Sequence, residues 1–377
     1  MIKKDILISE YEELILKTDR FKDSDINPIL LGLYGEVGSV MSTVKKLKRE
    51  EESYPGYLIN VEEEIGDTIW YLSALCRRLG INLSDLFSKT IEHGKFSTQV
   101  ATSDSTTHPI SKTYGINNIA TLESLLLELG KKSANLLCLS TTQENAEELL
   151  LDFTLTVIET IQVSGTSSSR ILNSNIKKTL GRFMKPELES LPTFDSHFPK
   201  EEQLPNDFEI DIFQRSNGRC YLRWNGVFIG DPLSDNISDP DGYRFHDVFH
   251  FANAAILHWS PTFRALIKHK RKSDSSIDEA QDSGRAIVIE EGLSAYIFSY
   301  AKQLNFFEKQ TNVSFDLLKT IQNFTHGYEV DQCPLNLWET AIIKGYDVFR
   351  NVRKNGGGTI IGNRQTRSIE YKPLRVS

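Results

Sequence analysis

Cysteine is scarce in this chain and poorly placed for chemistry. Cys76, Cys138, Cys220 and Cys333 lie far apart and form no CxxC pair. That spacing excludes a disulfide framework or a thiolate zinc site and fits a reducing cytoplasm. No run approaches the roughly 18 apolar residues of a membrane helix, and the N-terminal "MIKKDILISEYEEL" lacks an apolar core of signal-peptide length. Positive charge is also in deficit. With a formal balance of −8, nothing global favours binding to nucleic acid or to an anionic membrane. An anionic substrate would therefore need a local counter-charge, either a metal or a basic cluster. A soluble cytoplasmic protein is expected, with no nucleic-acid or membrane partner; a homo-oligomer stays open.

The 377 residues exceed one compact core and imply two or three domains. From Ile6 to about Phe96 the periodicity is helical. Pro28 suits the first turn of a helix through Leu31, Tyr34, Val37, Met41 and Val44, with the cations of "KKLKRE" at its C-terminal end. After "ESYPG", a second helix carries Ile65, Ile69, Leu72, Cys76 and Leu79 and closes at Gly80. A third, "INLSDLFSKTIEHGKF", has Ser84 as its N-cap. Residues 97–115 are rich in Ser and Thr and read as a linker. Helical spacing resumes in "TLESLLLELGKKSANLL", "NAEELLLDFTLTVIETIQVSG" and "NSNIKKTLGRF". Laying residues 147–172 on 62–87 sets Asp152 against Asp67 and Gly165 against Gly80, with Leu149 where Glu64 stands. "ELGKKSANLL" likewise follows "EVGSVMSTVK" and keeps one acid, Glu128. Either helices share such patterns by chance, or the chain holds a duplication whose second copy has lost part of its acid set.

The proline-bearing, mixed-charge segment 183–207 reads as a second linker. Residues 208–233 alternate in polarity and carry the turn signals Asn217-Gly218 and Asn225-Gly226, which predicts a three-stranded antiparallel meander. Helices are expected from Tyr243 to about Ile267 and from Asp282 to about Leu304, then in "SFDLLKTIQNFTHGYEV" and "LNLWETAIIKGYDVFRNVRKN". The expected class is mainly α. Helical segments at 1–100 and, as a degenerate repeat, 116–185 precede an α+β, mostly helical C-terminal domain at 205–377.

Two stretches place acids among apolar residues: "GLYGEVGSV" (32–40) and "VEEEIGDTIWYL" (61–72). Glu64 and Asp67 are three apart and project from one side of a helix. Antiparallel packing of the preceding helix would add Glu36. Two carboxylates about 4 Å apart cost roughly 4 kcal/mol at an effective dielectric of ~20, so three need protons or a cation. Oxygen ligands with no His or Cys nearby select a hard ion such as Mg²⁺ or Mn²⁺. Glu62 and Glu63 read more simply as solvated charges near a helix start.

These paired segments resemble the MazG-type all-α nucleoside triphosphate pyrophosphohydrolases over roughly residues 6–96. That family's signature is ExxE, a spacer, then ExxD, on neighbouring helices. Glu36 matches the first acid, Glu64 the third and Asp67 the fourth; Ser39 stands where the second should be, and Glu63 is the candidate to replace it. The resemblance implies a MazG-like helical bundle, catalytic Glu36, Glu64 and Asp67, and Mg²⁺ (or Mn²⁺) held by Glu36, Glu63, Glu64 and Asp67. It also implies hydrolysis of a nucleoside triphosphate to monophosphate and pyrophosphate. Lys45 and Lys46 are candidates for phosphate contacts and Trp70 for stacking on a base, against the plainer readings of solvated lysines and a core tryptophan.

A second constellation lies downstream. His246 and His250 are four apart, a spacing that lets two imidazoles share one cation. Asp247 stands where a zinc protease would carry Glu, and Glu290 and Glu291 begin an apolar helix that could pack alongside. The five residues would form either a second divalent-metal site or a buried polar network. "KHKRK" (268–272) reads as a solvated helix end. This downstream module resembles a C-terminal domain that accompanies some MazG-like proteins, a resemblance that implies no particular activity. Two further functions stay open: a nucleotide sensor with a weakened acid set, and a metal-dependent hydrolase centred on the C-terminal domain.

Overall fold

The computed structural model describes residues 6–93, 119–139 and 145–374. The linker read at 97–115 lies outside them. The chain divides into two compact units, Met1–Met184 and Lys185–Ser377. The architecture is mainly α, with an α+β C-terminal part.

The first unit contains α1 (Ile8–Leu16), α2 (Asn27–Glu50), α3 (Tyr57–Arg78), α4 (Leu83–His93), α5 (Ile119–Leu136), α6 (Ala146–Val163) and α7 (Ser168–Phe183). Pro28 lies in the first turn of α2, and Lys48 and Arg49 occupy its last turn. Gly80 ends α3 with φ +70°. Asn82, not Ser84, caps α4 by accepting the Asp85 N–H at 2.9 Å. One apolar core runs through both segments that the sequence sets apart, from Ile8, Val37 and Ile69 to Leu126, Phe153 and Leu172.

The helix packing has an internal correspondence. Pair α2 with α5, α3 with α6 and α4 with α7, as the sequence overlay does. The contact α2–α3 then matches α5–α6, α3–α7 matches α4–α6, and α2–α5 matches itself; each of these contacts is made. The last helix of each half therefore packs on the middle helix of the other, and α1 touches both α4 and α7.

The second unit holds a five-stranded antiparallel sheet of order β3-β2-β1-β4-β5, with β1 Asp207–Gln214, β2 Cys220–Trp224, β3 Val227–Leu233, β4 Gly357–Asn363 and β5 Ser368–Lys372. The meander turns as its Asn-Gly pair demands, with Asn225 and Gly226 both at positive φ. Strands β4 and β5 extend the sheet beyond the expected three-stranded meander. The glycines of β4 have a packing reason: a Cβ on Gly362 would lie 2.0 Å from the Phe208 ring, and one on Gly358 would lie 2.1 Å from that of Tyr371.

The helices of this unit are α8 (Asp247–Ala252), α9 (Pro261–Ile267), the single turn α10 (Ser275–Ile277), α11 (Gly284–Gln303), α12 (Phe315–Thr325) and α13 (Leu335–Asn355); α8, α9 and α13 pack on the sheet, and α11 packs on α8, α9 and α12. The one helix expected over 243–267 is broken. A π-helical turn at Asn253–Leu257 ends in His258 at φ +59°, and α9 restarts with Ser260 as N-cap and Pro261 in its first turn.

Nor is 183–207 a free linker. Leu191, Phe194 and Leu204 enter the core, and buried Asp195 accepts bonds from Arg264, Arg364 and the Leu204 N–H. "KHKRK" also departs from its expected role, since Arg271 is buried. Its guanidinium and N–H bond Asp282, and the guanidinium also bonds Glu329.

Candidate functional site

In the first unit, α2 contributes Glu36, and α3 contributes Glu64 and Asp67. One carboxylate oxygen from each lies within 4.8 Å of the others, and all three side chains are half-buried. Glycines permit the approach. The Tyr71 ring of α3 occupies the place of a side chain at Gly32, where a Cβ would lie 2.1 Å from Cε1. On the other side of α3, Gly66 lets α7 come close enough for Asn175 Cβ to sit 3.0 Å from where a Cβ would stand.

That second approach installs polar partners. Asn175 Nδ2 donates to Asp67 Oδ1 at 2.8 Å, while its Oδ1 accepts the Tyr11 hydroxyl at 2.8 Å. One turn on, Lys178 Nζ lies 2.8 Å from Glu63 Oε1 and also pairs with Asp67. Burial opposes its charge, but Asp67 and Glu63 more than offset that and hold the ammonium above the ordinary lysine value. Glu36 has the reverse situation. Burial first, then the charges of Asp67 and Glu64, push its carboxyl up to about 8. Without a bound cation the cluster therefore retains a proton at neutral pH, as like charges at this range require.

Other expected participants lie elsewhere. Glu63 is engaged by Lys178 and is not among the three converging acids. Glu62, read as solvated, is buried and accepts from Thr166 and Arg170. Lys45 and Lys46 are exposed. Trp70 is a core residue: it is buried, its indole N–H donates to Thr18 Oγ1 at 2.8 Å, and it meets Tyr71 edge-on. It has no free face for a base. Ser39 is half-buried on α2.

At the corresponding place in the second half, the acids are neutralised from within. Asp152 pairs with Lys132 Nζ at 2.7 Å, Glu128 pairs with Lys131 at 2.6 Å, and Leu149 packs against the core.

In the second unit, His246, Asp247 and His250 each offer a ligand atom within 4.8 Å of the others, at the start of α8. Both glutamates of α11 join them. His246 Nε2 is 3.4 Å from Glu291, and His250 Nε2 is 3.3 Å from Glu291. His250 Nδ1 is 3.2 Å from Glu290. Burial opposes charge on His250, yet Glu290 and Glu291 hold its imidazole well above the ordinary histidine value. Burial likewise opposes charge on Glu291, but His246 and His250 hold its carboxyl below the ordinary range.

Comparison with known proteins decides the family. Residues 189–375 match the family model of the MazG C-terminal domain. The chain carries a MazG C-terminal domain, which supports a MazG-like protein. No curated protein and no solved structure matches the chain. The MazG-related domain suggests a nucleotide-related function. In this MazG-like chain, no described helix is long and apolar enough to cross a membrane.

Sequence reasoning missed Asn175 and Lys178, which lie in "NSNIKK" and look like a solvated helix face. The available signal was Gly66. A glycine inside a helix that is otherwise regular marks a place where another chain segment approaches closely.

Proposed function

We propose that this MazG-like protein hydrolyses a nucleoside triphosphate to monophosphate and pyrophosphate with a hard divalent cation, Mg²⁺ or Mn²⁺. The convergence of Glu36, Glu64 and Asp67 carries this reading. The donor set fits such an ion: it is all oxygen, and a retained proton marks where positive charge is lacking. Glu36, Glu64 and Asp67 would hold the cation, which when bound neutralises phosphate oxygens and polarises the phosphorus.

The chain's own groups supply the rest. Asn175 and Lys178 fix the Asp67 carboxylate from two sides, so its orientation is set before substrate arrives. Lys178 also keeps an ammonium beside the acids, where a triphosphate would otherwise meet only negative charge. Once the cation has displaced its proton, Glu36 is an ionised carboxylate that can act as a base. In this reading it accepts a proton from the water whose oxygen attacks phosphorus as the bond to the pyrophosphate oxygen breaks.

The test is a panel of nucleoside triphosphates with and without Mg²⁺, with products separated. Monophosphate and pyrophosphate in equal amounts, lost in Glu64→Gln and Asp67→Asn proteins that remain folded, is the expected result. Unchanged turnover in both variants would remove the assignment.

A nucleotide sensor is the second reading. It draws on Ser39 in place of an acid and on Lys178, which already neutralises Asp67. Nucleotide binding without pyrophosphate release would select it.

A further inference from the structure

The MazG C-terminal domain carries a polar cluster that the pyrophosphohydrolase reading does not use. His250 is fully buried, and neither ring nitrogen makes a hydrogen bond of acceptable alignment. Asp247 is 5% exposed, and its Oδ2 also lacks a partner. The His250 nitrogens face only misaligned carboxylates, Glu290 at 3.2 Å and Glu291 at 3.3 Å, and buried polar atoms so poorly satisfied are costly. Here they converge, because the ligand atoms of His246, Asp247 and His250 lie within 4.8 Å of one another.

The surroundings have the organisation of a ligating shell with its supports. His246 Nδ1 is 2.9 Å from the Tyr243 carbonyl, and the ring stacks on Tyr243 with centroids 4.3 Å apart. A carbonyl can only accept, so Nδ1 carries the proton and Nε2 presents its lone pair to the cluster. His250 turns Nδ1 toward Glu290 and Nε2 toward Glu291. Glu290 is wholly buried and fixed by Asn253 Nδ2 at 3.1 Å, Ser260 Oγ at 3.0 Å and the Thr262 N–H at 2.9 Å. A carboxylate anchored behind one histidine nitrogen is the usual means of orienting the other toward a metal. Asn253 opens the π-helical turn Asn253–Leu257. Glu291 keeps 37% of its side chain exposed, so the cluster has one open side.

We propose that His246 Nε2, His250 Nε2, Asp247 and Glu291 bind one divalent transition-metal ion, with Glu290 as the outer partner that orients His250. The mixed nitrogen and oxygen set favours the Mn²⁺, Fe²⁺ and Zn²⁺ group over Mg²⁺. The opening beside Glu291 leaves a coordination position for water or a phosphate oxygen.

The test uses full-length protein carrying Glu36→Gln, Glu64→Gln and Asp67→Asn, so that the first unit's acids contribute no signal. After chelator treatment it is titrated with Co²⁺ and followed by visible absorption and elemental analysis. One Co²⁺ per chain with ligand-field bands is expected. His246→Gln and Glu291→Gln should each weaken binding by more than the roughly 10–100-fold that loss of an outer partner causes. Glu291 is partly exposed, so its variant retains the fold if the histidine variant does not. No Co²⁺ uptake, or uptake unchanged in both folded variants, overturns the site. Neither result depends on nucleotide hydrolysis.

Discussion

Magnesium binding at the three-acid cluster should release a proton, in an amount set by Glu36. Its carboxyl is pushed up to about 8 by burial, Asp67 and Glu64. At pH 7 such a cluster is about nine-tenths protonated, so each ion should displace about 0.9 proton, and at pH 9 about 0.1. Apparent affinity should then rise about ninefold from pH 6 to 7 and about fivefold from 7 to 8, and level off above about 9. Titration calorimetry in two buffers of different ionisation heat counts the protons directly.

Glu36→Gln should abolish both the release and the slope while leaving weaker, pH-independent binding through Glu64 and Asp67. Stability carries the same signature. An acid raised in the fold retains a proton that the unfolded chain gives up above its ordinary 4.5. The metal-free first unit therefore loses stability as pH rises from that value toward 8. The rise in Tm on adding Mg²⁺ should be largest at pH 8 and above. A flat affinity profile between pH 6 and 8, or equal proton release from Glu36→Gln, refutes the reasoning.

Three other outcomes are expected. Asp67→Asn should abolish Mg²⁺-dependent turnover, whereas Asp152→Asn, which removes only the partner of Lys132, should leave it nearly unchanged; equal losses in a steady-state assay would give Asp152 a direct role. Asp282→Asn should cost about 3–5 kcal/mol in denaturant unfolding of the second unit, because it strips the buried Arg271 guanidinium of a bidentate partner; a loss below 1 kcal/mol would show that Glu329 suffices. Burial, then Arg364 and Arg367, push His258 down to about 3, so below about 6.5 the unfolded chain takes up a proton that the fold refuses. The second unit should therefore lose up to about 1.4 kcal/mol per pH unit on acidification through that window, and His258→Asn, which tolerates the positive φ, should flatten the profile.

Helix periodicity was the strongest signal in the sequence. The apolar spacing of α2 and α3 locates Glu36, Glu64 and Asp67 on facing surfaces, and electrostatics alone says that three such acids need compensation. What it could not supply was the identity of the third helix at the site. Lys178 and Asn175 are polar residues on α7, and polarity by itself predicts solvent. The missing side chain at Gly66 makes room for Asn175. The sheet was half legible for a related reason. Asn225-Gly226 announces its own turn, but Gly362 of β4 makes sense only beside Phe208, nearly the whole domain away in sequence. Arg271 shows the limit of charge runs as a guide. Four of its neighbours in "KHKRKSD" follow the chain's surface course, while it turns inward to Asp282.

The reciprocal packing of α4 on α6 and α7 on α3 has a consequence for how this protein responds to dilution. A carboxylate cluster on one half is supported by an ammonium and an amide on the other, and both halves belong to one polypeptide. The effective concentration of that partner is fixed by the chain, not by expression level. Two-copy arrangements assembled from separate chains lose their sites as subunits dissociate; here specific activity should stay constant down to the lowest protein concentration assayed. The same tether releases the second half from keeping a full acid set: Leu149 stands where Glu64 does, and the remaining Asp152 is paired with Lys132.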